Sequence, residues 1–238
     1  MKEFFDRLYT GTNKSYTIKL SKYLDNKEKK FVLTANPEMF SLALKNQNIK
    51  DAILDTNNDV LADGIAIKKT ARLYKVKVEE RIAGIDVANS LIDLGNKKKK
   101  TIYLFGAKKE VVDKLKKDIE KKYKSLKVVG ATNGYIENKE EEIKKIIKAE
   151  PDICLVALGM PMQEEIILKI IPHVKKGIYV GVGGSFDVLS GYKKRAPKFY
   201  INHNLEWLYR ISTEPKRAPR FIKHNCLFCI KSIFDSKK

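Results

Sequence analysis

Ile153-Cys-Leu-Val-Ala-Leu158 is an unbroken apolar run bounded by Pro151 and Gly159. Six residues are too few for an independent helix. With no polar position among them, neither face of a strand meets water, so the run reads as a strand covered on both sides. A helical pattern follows from Pro161 to Ile171. The same unit recurs along the chain. Phe31–Ala35 (FVLTA) precedes a helix opened by Pro37 and carried to Leu44, and Thr101–Phe105 (TIYLF) precedes Gly106 and a helix over Lys108–Lys122. Ile178–Val182 runs into Gly183-Gly184 and a short helix. Lys127–Val129 is a further strand, closed by the Asn133-Gly134 turn and followed by a helix over Glu137–Ala149. Between these units Ala52–Leu54 and Val60–Leu61 read as short extended segments, and Gly64–Tyr74 and Ile85–Leu94 as helices.

Alternating strands and helices with uniformly apolar strands predict an α/β fold: a Rossmann-like parallel sheet with helices on both faces. In such sheets ligands bind at the carboxyl ends of the strands. The 238 residues suit one core domain, expected over residues 1–195. From Ala196 the character changes to basic and aromatic, with helices predicted at Pro197–Ser212 and Ala218–Phe234. Residues 196–238 are therefore expected to form a C-terminal basic helical appendage.

The formal net charge is +19, which favours anionic partners: nucleic acid, anionic lipid or phosphorylated substrates. The excess is uneven. From Lys193 onward twelve basic residues stand against three acidic ones. The segment after Ala218 mixes Phe221, Leu227, Phe228, Ile230, Ile233 and Phe234 with Arg220, Lys223 and Lys231. That pattern suits either a helix lying in a bilayer interface or one docked on the core or on a second copy in a homodimer. No apolar run approaches the ~20 residues that span a bilayer, and Met1–Thr10 lacks the apolar stretch of a signal peptide. Three cysteines argue against a disulfide framework. The expected location is the cytoplasm, with peripheral contact to the inner face of the cell membrane. No nucleic-acid motif is present, so a non-enzymatic nucleic-acid binder remains the rival of another class.

Polar residues follow the apolar strands at several points. Thr34 and Asn36 precede a helix N-terminus, where they either bind an oxygen-rich ligand or, for Asn36, cap the helix. Asp63, between Ala62 and Gly64, suits a general base or another cap. Arg81 suits bidentate capture of a diphosphate or an ordinary ion pair, and Asp86 a helix N-terminal acid. Gly183 and Gly184, ahead of Asp187, let backbone amides approach a phosphate. The stretch fails as a dinucleotide fingerprint, because Phe186 stands where GxGxxG needs glycine. Gly106-Ala107 and Asn133-Gly134-Tyr135 suit a nucleotide pocket, with Tyr135 as a stacking ring. Gln163 either bonds a sugar or sits in the first turn of its helix. Cys226-Leu-Phe-Cys229 has no second CxxC to complete a zinc site, and no Asp-x-Asp pair, P-loop or Gly-x-Ser-x-Gly occurs.

Taken in order, TANPEMF (Thr34–Phe40), ADGIAI (Ala62–Ile67), RIAGID (Arg81–Asp86), YLFGAK (Tyr103–Lys108), NGY (Asn133–Tyr135), LVALGMPMQE (Leu155–Glu164), GVGGSFDVLSG (Gly181–Gly191) and RAPKF…LEWLYR (Arg195–Arg210) resemble the WecG/TagA/CpsF family, glycosyltransferase family 26. The resemblance spans about residues 10–225. It implies an inverting, metal-independent, cofactor-free enzyme. Such an enzyme moves N-acetylmannosamine from its UDP form to undecaprenyl-diphosphate-linked N-acetylglucosamine, the linkage-unit step of wall teichoic acid. Relatives in the family use N-acetylmannosaminuronic acid or glucose. The resemblance assigns Asp63 as the catalytic carboxylate with Thr34 assisting, and places Arg81 and Gln163 at the substrate. It gives Arg210, Arg217 and Arg220 of the appendage to the lipid diphosphate.

Overall fold

The computed structural model describes residues 1–215 and 218–236. Six strands among them form one parallel sheet: β1 (Lys29–Ala35), β2 (Asp59–Ala62), β3 (Thr101–Gly106), β4 (Lys127–Thr132), β5 (Ile153–Ala157) and β6 (Gly177–Gly181), in the order β2-β1-β6-β5-β3-β4. The register places Thr34 beside Leu61 and Val156 beside Gly181.

Each strand feeds two cores. Along β5, Cys154 and Val156 join one cluster while Ile153, Leu155 and Ala157 join the other, and β3 divides the same way into Tyr103 and Phe105 against Ile102 and Leu104. A period-2 strand with both faces packed needs apolar residues at every position, which is why these strands read as continuous runs.

On the first face lie α3 (Pro37–Ala43), α4 (Gln47–Leu54), α5 (Ile65–Ala71), α8 (Lys139–Ala149) and α9 (Met162–Ile170), together with the N-terminal α1 (Lys2–Asp6). On the second lie α2 (Asn13–Asn26), α6 (Gly84–Lys97), α7 (Lys109–Lys122) and α10 (Ser185–Leu189). Neighbouring strands β1 and β6 therefore lead to helices on opposite faces, α3 and α10. Such a reversal opens a crevice at the carboxyl edge of the sheet.

Two expectations from the sequence are corrected. Ala52–Leu54 is not extended but ends α4: Asn46 caps that helix through the Ile49 N–H, and Ile49, Ala52 and Ile53 are buried at helical spacing. The single helix expected over Pro197–Ser212 is two, α11 (Lys198–Asn202) and α12 (Glu206–Thr213), because Asn204 takes a left-handed backbone at φ 59° between them. Asn tolerates that conformation better than most side chains.

The last helix, α13 (Ala218–Asp235), rests on the first face of the sheet. Phe228 is fully buried between Phe5 and Phe40, with ring centroids 6.2 Å away from each. The Tyr74 hydroxyl donates to the Ser232 carbonyl at 2.9 Å, and the Met1 amino group pairs with Asp235 at 3.2 Å. Among the described residues no helix is long and apolar enough to cross a membrane.

Candidate active site

The carboxyl ends of β1, β2, β5 and β6 converge on the crevice. The Asp63 N–H donates to the Ala35 carbonyl at 2.8 Å and the Ile82 N–H to the Ala62 carbonyl at 3.0 Å. These two bonds fix Asp63 one residue beyond β2 and bring the loop carrying Arg81 to the same strand end. Gly64, at φ 130°, turns the chain from Asp63 into α5 through a backbone conformation that suits glycine.

The resulting cleft, about 180 Å³, is lined by Thr34, Asn36, Asp63, Gly84, Gln163, Gly183, Gly184 and Arg210 among others. It adjoins a cavity of about 330 Å³, walled by Asp187, Lys193, Arg195 and Tyr209, through the shared Ile85, Gly184, Ser185 and Arg210.

Asp63 is half-buried, and Oδ2 accepts the Gly84 N–H at 3.3 Å. Burial pushes its carboxyl above the ordinary carboxylate range. The charges of Arg81 and Arg210 and the Gly84 bond oppose that rise, and Glu206 reinforces it. Thr34 is buried and its hydroxyl donates to the Gly181 carbonyl at 3.1 Å. Asn36 both caps α3, accepting the Met39 N–H at 3.0 Å, and lines the cleft.

Gln163 and Glu164 are buried in the first turn of α9. Gln163 Oε1 accepts the Gly183 N–H at 2.9 Å while its Nε2 donates to Glu164 Oε1 at 2.8 Å. The amide orientation is fixed by its two neighbours, since an N–H needs the oxygen and a carboxylate needs the NH₂. The Gly183 amide is thereby engaged with Gln163, leaving Gly184 as the glycine common to both cavities. Burial raises Glu164 to about 7, against the Gln163 bond, and Glu164 Oε2 has no hydrogen-bond partner among the described residues.

Arg81, read as a diphosphate clamp or an ion-pair partner, donates from Nη2 to Glu206 Oε2 at 2.9 Å, and Arg210 Nη2 donates to Glu206 Oε1 at 2.7 Å. Asp86 pairs with Arg195 at 2.7 Å. Gly106-Ala107 and Asn133–Tyr135 stand side by side at the ends of β3 and β4, joined by the Gly134 N–H to the Ala107 carbonyl at 2.8 Å. They lie outside the lining of both cavities, and Tyr135 is 78% exposed. Arg217 lies outside the described residues. Arg220 falls in the first turn of α13, and its side chain is likewise outside them.

Sequence reasoning missed Glu206 and Glu164. Glu164 carried a signal, a carboxylate in a helix whose neighbours Ile166 and Ile167 are apolar. Glu206 carried only the local signal of Arg210 four residues on; its other partner, Arg81, lies far away in the chain.

The parallel sheet carries a carboxylate, a buried glutamine and glycines at its carboxyl edge, with an arginine beside them, a lining that suits anionic, oxygen-rich ligands. The profile described as "Glycosyl transferase WecG/TagA/CpsF family" matches residues 7–238, and the chain belongs to that family of glycosyltransferases. It is 40% identical over 200 residues to the N-acetylglucosaminyldiphosphoundecaprenol N-acetyl-beta-D-mannosaminyltransferase of Bacillus subtilis strain 168, covering 84% of this chain and 78% of the relative. The same-named protein of Bacillus spizizenii is 38% identical over 84% of this chain and 77% of its own. That of Staphylococcus aureus NCTC 8325 is 31% identical over 80% and 74%.

Proposed function

We propose that the protein transfers N-acetylmannosamine from UDP-N-acetylmannosamine to undecaprenyl-diphosphate-linked N-acetylglucosamine, with inversion and without a metal. The names of the relatives support the acceptor and the sugar. The observation that carries the chemistry is Asp63: a carboxylate on the cleft floor, oriented by the Gly84 N–H, with its proton affinity raised by burial.

Asp63 takes the proton from the C4 hydroxyl of the acceptor sugar. The hydroxyl oxygen attacks the anomeric carbon of the donor from the face opposite UDP, and the bond to UDP breaks. Charge developing on the departing diphosphate meets Arg210 and the backbone at Gly184, which line the cleft. Gln163, held rigid by its two bonds, presents a fixed wall to the donor sugar. Gly106, Ala107, Asn133, Gly134 and Tyr135 extend the site along the same sheet edge toward the nucleoside, and Asp187 lies in the adjoining cavity.

The acceptor is anchored in lipid, so the enzyme works at a membrane surface. Leu227, Ile230, Ile233 and Phe234 are exposed on α13, facing away from Phe228. Such a stripe on a basic protein suits peripheral binding to anionic lipid.

The test is UDP release in EDTA, with UDP-N-acetylmannosamine and a short-chain prenyl-diphosphate N-acetylglucosamine. Release should require both substrates and vanish in Asp63→Asn. A folded protein that binds UDP yet releases none with this pair would redirect the donor to another UDP-sugar.

A further inference from the structure

Glu206 divides its carboxylate between two arginines from distant parts of the chain. Oε2 receives Arg81, from the segment between α5 and α6, and Oε1 receives Arg210, one turn further along α12. The Glu206 side chain is 4% exposed and Arg81 13%, whereas Arg210 is 54% exposed and lines both cavities. The inner two members of this chain of charges are thus largely withdrawn from water; Glu206 borders the adjoining cavity, and of the three only Arg210 reaches the Asp63 cleft.

We propose that Glu206 is a positioning residue, a latch through which Arg81 holds α12 on the core and sets the Arg210 guanidinium at the mouth of the Asp63 cleft. This rests on the transfer reading above and assigns Arg81 a different task from direct capture of a diphosphate. A guanidinium has five N–H donors in a planar fork. Glu206 takes one from Arg210 and fixes the plane of the fork, leaving its remaining edge for the oxygens of a diphosphate. A flexible arginine would have to be ordered on binding, and the latch removes that cost in advance. Burial alone would raise the Glu206 carboxyl, but Arg210 and Arg81 outweigh it and hold it below the usual range, so the latch stays charged at neutral pH.

Two measurements on the full chain test the latch. The first is backbone hydrogen exchange over residues 206–213 in wild type and Glu206→Gln, a shape-preserving change that keeps the fold while removing the charge. Exchange should speed up by about tenfold or more as one buried charge partner is lost. The second is a double-mutant cycle on kcat/KM for the prenyl-diphosphate acceptor. Glu206→Gln and Arg210→Ala should each cost about tenfold or more. The double variant should lose no more than Arg210→Ala alone, because Glu206 acts through Arg210.

Unchanged exchange, or losses that simply multiply, would overturn the proposal; a merely structural Glu206 gives the multiplicative result. If the wild type transfers no sugar, the transfer reading fails by itself. The exchange measurement then decides the latch alone, in favour if protection is lost and against if it is kept.

Discussion

Gln163 Oε1 accepts the Gly183 N–H at 2.9 Å, tying the first turn of α9 to the loop that leaves β6. The bond is possible only because Gly181 lets the two elements approach. A methyl group there would lie 2.6 Å from Gln163 Nε2 and 3.0 Å from Glu164 Oε1. Gly181→Ala should therefore push the Gln163 amide out of place. Overpacking of this kind costs about 1–3 kcal/mol, a modest fall in melting temperature. The larger effect belongs to catalysis, where an ångström of misplacement costs about 10²-fold. Comparing kcat with the thermal midpoint separates the two, and a variant with normal turnover would dissociate Gln163 from the reaction.

As the proposed base, Asp63 must be ionised to accept a proton. Because burial lifts its carboxyl above the ordinary range, kcat should fall with decreasing pH along a limb lying above that of an exposed aspartate. Asp63→Asn should remove the limb and lower kcat by about 10²–10⁴-fold, the usual worth of a placed base. The same burial disfavours the charged side chain in the fold, so the amide should leave the melting temperature at pH 7 equal or higher. A pH–rate profile of the two proteins, with circular dichroism melts alongside, checks both halves.

Glu164 makes a separate statement about stability. Its folded value is raised from an ordinary 4.5 to about 7. The favourable contribution of the protonated form is complete below about 4.5 and is lost as pH rises through about 7. The span corresponds to about 3 kcal/mol. Glu164→Gln keeps an acceptor for Gln163 Nε2 and carries no charge, so it should gain on wild type between pH 5 and pH 8 by about that amount. Urea unfolding of both proteins at the two pH values isolates the effect from other carboxylates, and equal slopes would exclude it.

Much of this arrangement was legible in the sequence, because the polar residues of the cleft, Arg210 of α12 apart, lie in the segments that leave apolar strands. Thr34 and Asn36 close β1, Asp63 closes β2, Gln163 follows β5 and Gly183-Gly184 follows β6. Chain order alone then puts them on one edge of a parallel sheet. What escaped had its cause at a distance. Arg81 and Glu206 are 125 residues apart, and no local pattern announces that a cation and an anion will meet. The helical state of Ala52–Leu54 depends on Asn46 capping a helix whose polar half reads like a loop. The break at Asn204 is a single residue's backbone choice inside a stretch with helical periodicity. The N-terminal α2 also passed unread. Thr12 and Ser15 form its reciprocal cap, with serine where glutamate is the familiar signal.

α13 offers a prediction with two opposite halves. Phe228 and Ser232, one turn apart, point into the core, where Phe228 meets Phe5 and Phe40. Leu227, Ile230 and Phe234 recur at helical spacing on the other side and are 47%, 52% and 69% exposed. Removing the inner ring opens a cavity in an aromatic cluster, so Phe228→Ala should cost about 3 kcal/mol of stability. The outer face is largely exposed, so changing it removes little packing. The double substitution Ile230→Glu, Phe234→Glu should leave the melting temperature within about 1 °C, since surface changes away from packed groups stay within about 0.5 kcal/mol. Binding to vesicles containing phosphatidylglycerol should respond in the reverse order, because apolar insertion and attraction to anionic lipid act together at this face. Sedimentation with such vesicles should be largely lost in the double variant and persist in Phe228→Ala below its melting point. Equal sedimentation of wild type and the double variant would assign membrane contact to another surface and leave α13 as a core helix alone.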